Sequence, residues 1–214
     1  MPRRLRPLSA QDLERLPAAC TDCAFWETVA PLERRCGSVC DRELTREWFA
    51  AVTGEWGECG RVAYEDDEIL GFIKYAPSRF LPQAATFRAA PLDGQVPLIA
   101  CLHIEPNARH HGLGSVLLRA ALRDLSLRGE RRVEAFAAAH KPAILEESPM
   151  LGIDFLLRNG FSVSRPDPDY PLLKLDLRSL AMLSENLEAV LDSLRFPLRV
   201  PKRVPASWTD GRRS

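Results

Sequence analysis

Residues 105–122, EPNARHHGLGSVLLRAAL, gather an arginine, two histidines and two closely spaced glycines between an apolar run and a helical pattern. A backbone that wraps an anionic group needs residues without Cβ, because any side chain would keep the amide N–H groups away from the anion. Gly112 and Gly114 supply that freedom where a helix begins. The free N–H groups of its first turn and the positive end of its dipole converge on the same spot. Arg109, His110 and His111 add cationic or hydrogen-bonding side chains at the rim, and Leu113 and Ser115 complete the turn. Such a cradle suits a phosphate or a diphosphate. It is not the ATP-type loop GxxxxGK[ST], since Ser115 and not lysine follows Gly114. It is not the dinucleotide loop GxGxxG either, since Leu117 stands where the third glycine would be. What remains is RxxGxG, read as Arg109, Gly112 and Gly114.

The elements around the turn must hold it in place. VPLIACLHI (96–104) reads as a buried strand, and Val116, Leu117, Ala120, Ala121 and Leu125 form an apolar helical stripe running to Gly129, a C-terminal cap. RRVEAFA (131–137) is a further strand, so β, α, β in this order implies a parallel crossover. Upstream, RRLRPLS (3–9) opens as a strand, and SAQDLERLPAA carries a brief helix interrupted by Pro17. DRELTREWFAAVTGEW (41–56) is a helix with Leu44, Trp48, Phe49 and Val52 on one face, ending at Gly57. GRVAYEDDEILGFIKYAP reads as an antiparallel hairpin turning at Glu65–Glu68 and closed by Pro77. The segment 78–95 reads as irregular, and 138–150 as a long loop before the helix LGIDFLLRNG and the strands FSVSR and LLKLDL. The expected fold class is α/β (α+β), with a mixed, mostly antiparallel sheet flanked by helices. Residues 1–178 are expected as one domain, and 179–214 as a C-terminal helix with a basic tail.

These features resemble the GNAT superfamily of acyl-CoA-dependent N-acyltransferases, whose (Q/R)xxGx(G/A) motif joins a strand to a helix. HIEPNARHHGLG has the superfamily's upstream hydrophobic residue and proline at Ile104 and Pro106, and FLLRNGF resembles its later helix-to-strand signature at Gly160 and Phe161. CTDCAFWE and EWGECGRVAY resemble paired signatures of a CxxC-containing subgroup. The resemblance implies acetyl-CoA as cosubstrate, a primary amine as acceptor, and pantetheine contacts along the backbone of Leu102, His103 and Ile104.

Transfer to an amine needs a neutral nucleophile, stabilisation of the oxyanion and a route for the thiolate to leave. His103, near the position the resemblance implies for the thioester, and Glu105, two residues on, are the candidate bases, with Glu134 on the next strand a third. The competing readings are a packed, hydrogen-bonded core histidine for His103 and a surface or loop carboxylate for Glu105. The resemblance places a general-acid tyrosine where this chain has Leu156; Tyr170 is the candidate substitute. A thiol of pKa about 8.5 leaves tolerably even unprotonated, so transfer survives the loss. The rival is a catalytically weak or inactive acyl-CoA-binding regulatory protein.

Of 214 residues, 46% are hydrophobic and 27% charged, and Lys+Arg and Asp+Glu are 29 each. A net charge of zero leaves no overall field steering the chain to nucleic acid or membrane. The apolar run Val96–Leu102 is far short of the roughly 20 residues that span a bilayer, and the basic start lacks the apolar stretch of a signal peptide. A cytoplasmic protein is expected, and with it reduced thiols. Cys20 and Cys23 form a CxxC, Cys36 and Cys40 a CxxxC, and Cys59 follows in EWGECGR. A structural zinc site and a redox pair stay open as alternatives to reduced thiols. The basic residues from Arg195 onward read as a solvated or homodimer-bridging arm in preference to a nucleic-acid contact.

Overall fold

The structure, a computed structural model, describes residues 4–31, 39–109, 111–140 and 150–178. The segment 179–214, expected as a helix and basic tail, lies outside the described residues, as do Cys36, His110 and most of the expected loop 138–150.

Among the described residues eight strands form one sheet: β1 (Arg4–Pro7), β2 (Gly60–Glu65), β3 (Glu68–Pro77), β4 (Pro97–Ile104), β5 (Arg132–Ala138), β6 (Leu151–Gly152), β7 (Ser162–Arg165) and β8 (Leu172–Asp176). Their order is β1-β2-β3-β4-β5-β8-β7, and β6 pairs with β5 off this path. The pairings β4–β5 and β5–β6 are parallel and the rest antiparallel, so the mixed, mostly antiparallel sheet expected from the sequence is the observed one. The acidic hairpin turn closes at Asp66, a non-glycine residue at φ 55.

Helices cover both faces. On one lie the short α1 (Ala10–Leu13) and α2 (Ala18–Thr21) and the longer α3 (Arg42–Glu55). α3 begins because the Asp41 side chain accepts the Leu44 N–H at 2.9 Å, and it buries Thr45, Trp48, Phe49 and Val52. Trp48 Nε1 donates to the Phe80 carbonyl at 2.7 Å, fixing the helix to the 3-10 turn that follows β3. At the start of the chain, buried Asp12 accepts from the Ser9 backbone and hydroxyl, from Arg6 and from the Tyr64 hydroxyl, joining α1 to β1 and β2.

On the other face lie α4 (Leu113–Leu127) and α5 (Ile153–Arg158). The buried stripe of α4 is Leu113, Leu117, Leu118, Ala121, Leu122 and Leu125. It is rotated from the expected one: Val116 and Ala120 sit at its edge, and the helix packs across β2, β3 and β4. Asp124 locks this rotation by accepting from the Tyr75 hydroxyl at 2.8 Å and pairing with Arg61. Gly129, at φ +82, ends the helix as expected.

One irregularity sets the site. Lys74 opposes Cys101 and Tyr75 opposes Ile99, so Ala100 on β4 is an extra residue in the ladder. Ala100 and Cys101 consequently share one face, and His103 follows them to the α1–α3 side, its ring stacked on Phe72 with centroids 6.0 Å apart. Leu102 and Ile104 point to the α4 side.

Candidate functional site

β4 and β5 share a single described pairing, Leu98 with Glu134; from there β4 parts from β5, which pairs instead with β6 at Ala137 and Ala138. A cavity of about 520 Å³ lies along this parted end of β4, with β6 and α5 opposite. It runs from Arg109, Gly112, Leu113, Gly114 and Ser115, past Leu102, His103 and Ile104, to a wall made by α1, α2, α3 and β3. The sequence-derived cradle and the expected pantetheine wall therefore line one continuous space.

Gly112 stands at the N-terminus of α4 with φ 78, the left-handed region that disfavours any side chain. Gly114 carries a different kind of information. A Cβ there would meet Leu102 and Phe155 only at 3.5 Å, an ordinary contact, so the protein's own packing does not demand glycine. What a side chain at 114 would obstruct is the cavity, next to first-turn N–H groups that lack intrahelical acceptors. This fits a diphosphate held by main-chain amides. Arg109 lines the cradle with its Nε donating to the Ile104 carbonyl at 2.9 Å, and Arg158 on α5 adds a second cation to the lining. His111 is exposed and does not line the cavity.

His103 is held deep in the wall with its Nε2 buried and without a hydrogen-bond partner among the described residues. Burial lowers its proton affinity below that of an ordinary imidazole; the Glu105 charge opposes this and Arg109 adds to it. The ring is therefore neutral at neutral pH. The Glu105 carboxylate lies 3.7 Å from Nε2, just outside the cavity lining and part-exposed. Glu134 faces elsewhere, 3.6 Å from Arg132, and burial raises its pKa. Tyr170 lies apart as well: its ring meets Phe87 edge-on at 5.7 Å and does not line the cavity. Leu156, where the resemblance expects tyrosine, is fully buried.

The far wall holds residues that sequence reading did not select. Lys74, on β3, lines the cavity 4.9 Å over the Trp48 ring and pairs with the buried Glu27 carboxylate. Burial alone would lower its pKa, but Glu27 holds it protonated, above the usual lysine range. The available signal was a lysine interrupting the apolar run EILGFIKYAP. Cys101 also lines the cavity, with burial pushing its thiol up to about 12, so it offers no thiolate nucleophile at neutral pH. Cys20 and Cys23 line the same wall. Among the described residues no group of three or more His, Cys, Asp or Glu is placed to hold a metal ion, and no helix is long and apolar enough to cross a membrane.

A family model described as Acetyltransferase (GNAT) family matches residues 24–145, more than half of the chain. Among solved structures, an N-acetyltransferase from Staphylococcus aureus Mu50 is 19% identical with a TM-score of 0.57, over 83% of this chain and 99% of that one. A ribosomal-protein-alanine N-acetyltransferase from Brucella melitensis is 18% identical with a TM-score of 0.55, over 81% and 99%. A PaiA N-acetyltransferase from Thermoplasma acidophilum, in complex with coenzyme A, is 17% identical with a TM-score of 0.50, over 82% and 99%. At these identities the likeness shows the fold. No curated protein matches the chain in sequence.

Proposed function

The chain belongs to the GNAT acetyltransferase family, and from that premise we propose that it transfers an acetyl group from acetyl-CoA to a primary amine. The observation that carries this reading is the continuity of the cavity from the glycine cradle at the start of α4, past His103, to the wall of α1–α3. The amides of Leu113, Gly114 and Ser115, with Arg109 and Arg158 beside them, would hold the diphosphate. The β4 edge at Leu102–Ile104, parted from β5, would receive the pantetheine arm. Acetyl-CoA supplies an activated acetyl thioester whose thiolate is a tolerable leaving group.

His103 in its neutral form takes the proton that the amine must lose, and the Glu105 carboxylate favours the imidazolium so formed. The acceptor enters from the α1–α3 side, along Trp48 and Phe72. Tyr170 has no part in this reading. A cytoplasmic location suits a chain whose thiols include the buried Cys59, just before β2, and the half-buried Cys101 on β4. A second reading, a coenzyme-binding regulatory protein with little turnover, is favoured by the buried Leu156 at the tyrosine position. Calorimetry with CoA and acetyl-CoA, followed by CoA release across a panel of primary amines, separates the readings. Binding with release supports transfer, binding without release supports the regulator, and absence of both removes the two together.

A further inference from the structure

Cys23 and Cys40 oppose each other in an isolated antiparallel bridge. The Ala24 N–H donates to the Val39 carbonyl at 2.8 Å, and the Asp41 N–H to the Asp22 carbonyl at 2.8 Å. These two bonds flank the cysteines without involving their own main-chain groups, which defines a non-hydrogen-bonded pair. In such a pair the Cα atoms stand about 4.5 Å apart and the side chains lie side by side on one face. That separation falls within the range of about 4.4 to 6.8 Å that a disulfide requires. A third contact pins the bridge, since Arg42 donates to both oxygens of Asp22, at 2.7 and 3.2 Å.

The two thiols differ in access. Cys40 is exposed, whereas Cys23 is half-buried and lines the cavity together with the buried Cys20. The bridge also joins two parts of the cavity wall. Cys23 follows α2, and Cys40 immediately precedes Asp41, the cap of α3, whose Thr45 and Trp48 line the same space.

We infer that Cys23 and Cys40 form a thiol–disulfide modification site, oxidised by low-molecular-weight disulfides, that staples α2 to the start of α3 at the acceptor wall. The Cys40 thiolate attacks one sulfur of the small disulfide, forming a mixed disulfide and releasing one small thiolate. The Cys23 sulfur, its proton gone to solvent, then attacks the Cys40 sulfur and expels the second small thiol. Two protein thiols are oxidised, one small disulfide is reduced to two thiols, and no further oxidant enters. Cys20, three residues before Cys23, is the natural competitor for it. It is buried and lacks the facing register that Cys40 has.

The test treats the reduced full-length protein with oxidised glutathione and identifies linked residues by fragmentation of proteolytic peptides. The expected result is a loss of two hydrogens per chain and a Cys23–Cys40 link, retained in Cys20→Ser and absent in Cys40→Ser. Mapping the wild type alone decides the pairing if a variant fails to fold. A Cys20–Cys23 link, a link of either residue to Cys36, a link that survives in Cys40→Ser, or no link at all overturns the inference. So does stoichiometric zinc in the purified protein whose removal is needed before any thiol oxidises. CoA binding by the reduced wild type is measured in parallel, so the proposed transfer reaction stands or falls separately.

Discussion

The Glu105 carboxylate stands 3.7 Å from His103 Nε2, near enough for its charge to favour the imidazolium and too far to hold the ring by a hydrogen bond. Burial lowers the His103 pKa from 6.5, so a base at this position is already unprotonated at neutral pH. Transfer activity should fall on the acid side as His103 takes up a proton, with the limb below pH 6.5. Glu105→Gln removes the group that raises the pKa, so its limb should move to lower pH. His103→Gln should reduce kcat by about 10² to 10⁴ while CoA still binds. Unchanged kcat in His103→Gln would make the histidine a packing residue.

Gly114 and Gly112 should respond differently to substitution. A Cβ at Gly114 is accommodated and points toward Leu102 and Phe155, so Gly114→Val should fold normally yet fill the cavity. Its Kd for CoA should rise at least about tenfold, or about 1.4 kcal/mol. Gly112→Ala meets no neighbour but forces alanine to φ +78, which costs about 1–2 kcal/mol. Its signature is a lowered melting temperature. Equal loss of affinity and stability in both would argue that the turn is merely a strand-to-helix connection.

How far the site was legible follows from how local each determinant is. The cradle could be read because its chemistry lies within seven consecutive residues, 109–115, and its helix announces itself by periodicity. The hairpin and the α3 face were readable for the same reason. The bulge at Ala100 could not be read, because it is a mismatch between two strands whose register the sequence does not state. It nevertheless decides that His103 faces the wall made by α1–α3. Glu27, separated from Lys74 by 47 residues, and the facing of Cys23 with Cys40 are likewise tertiary facts. Tyr170, chosen from its place before the last strand, lies against Phe87 because aromatic packing claimed it.

The Lys74–Glu27 pair makes a stability prediction independent of activity. Both residues are more than nine-tenths buried, and removing one partner of such a pair leaves the other charge uncompensated, at a cost of about 3–5 kcal/mol. Lys74→Met should therefore unfold at markedly lower denaturant. Adding Glu27→Leu should restore much of the loss, because no charge is then left buried. Strictly additive destabilisation in the double variant would show that the two side chains act separately.

Gly71 tests whether the β3–β4 ladder positions His103. A Cβ on Gly71 would stand 2.6 Å from the His103 carbonyl oxygen and 2.8 Å from Ile104 Cδ1, distances the ladder cannot absorb without moving β4. Gly71→Ala should cost about 1–3 kcal/mol by overpacking. It should also lower kcat by up to about 10²-fold, because a displacement of about 1 Å at a reacting group is enough for that. Gly54, on α3 with open space around its Cα, is the matched control. Gly54→Ala should stabilise by about 0.4–1 kcal/mol and leave kcat unaltered. Were Gly71→Ala to lose stability alone, with turnover per folded molecule intact, the position of His103 would not depend on the close approach of β3.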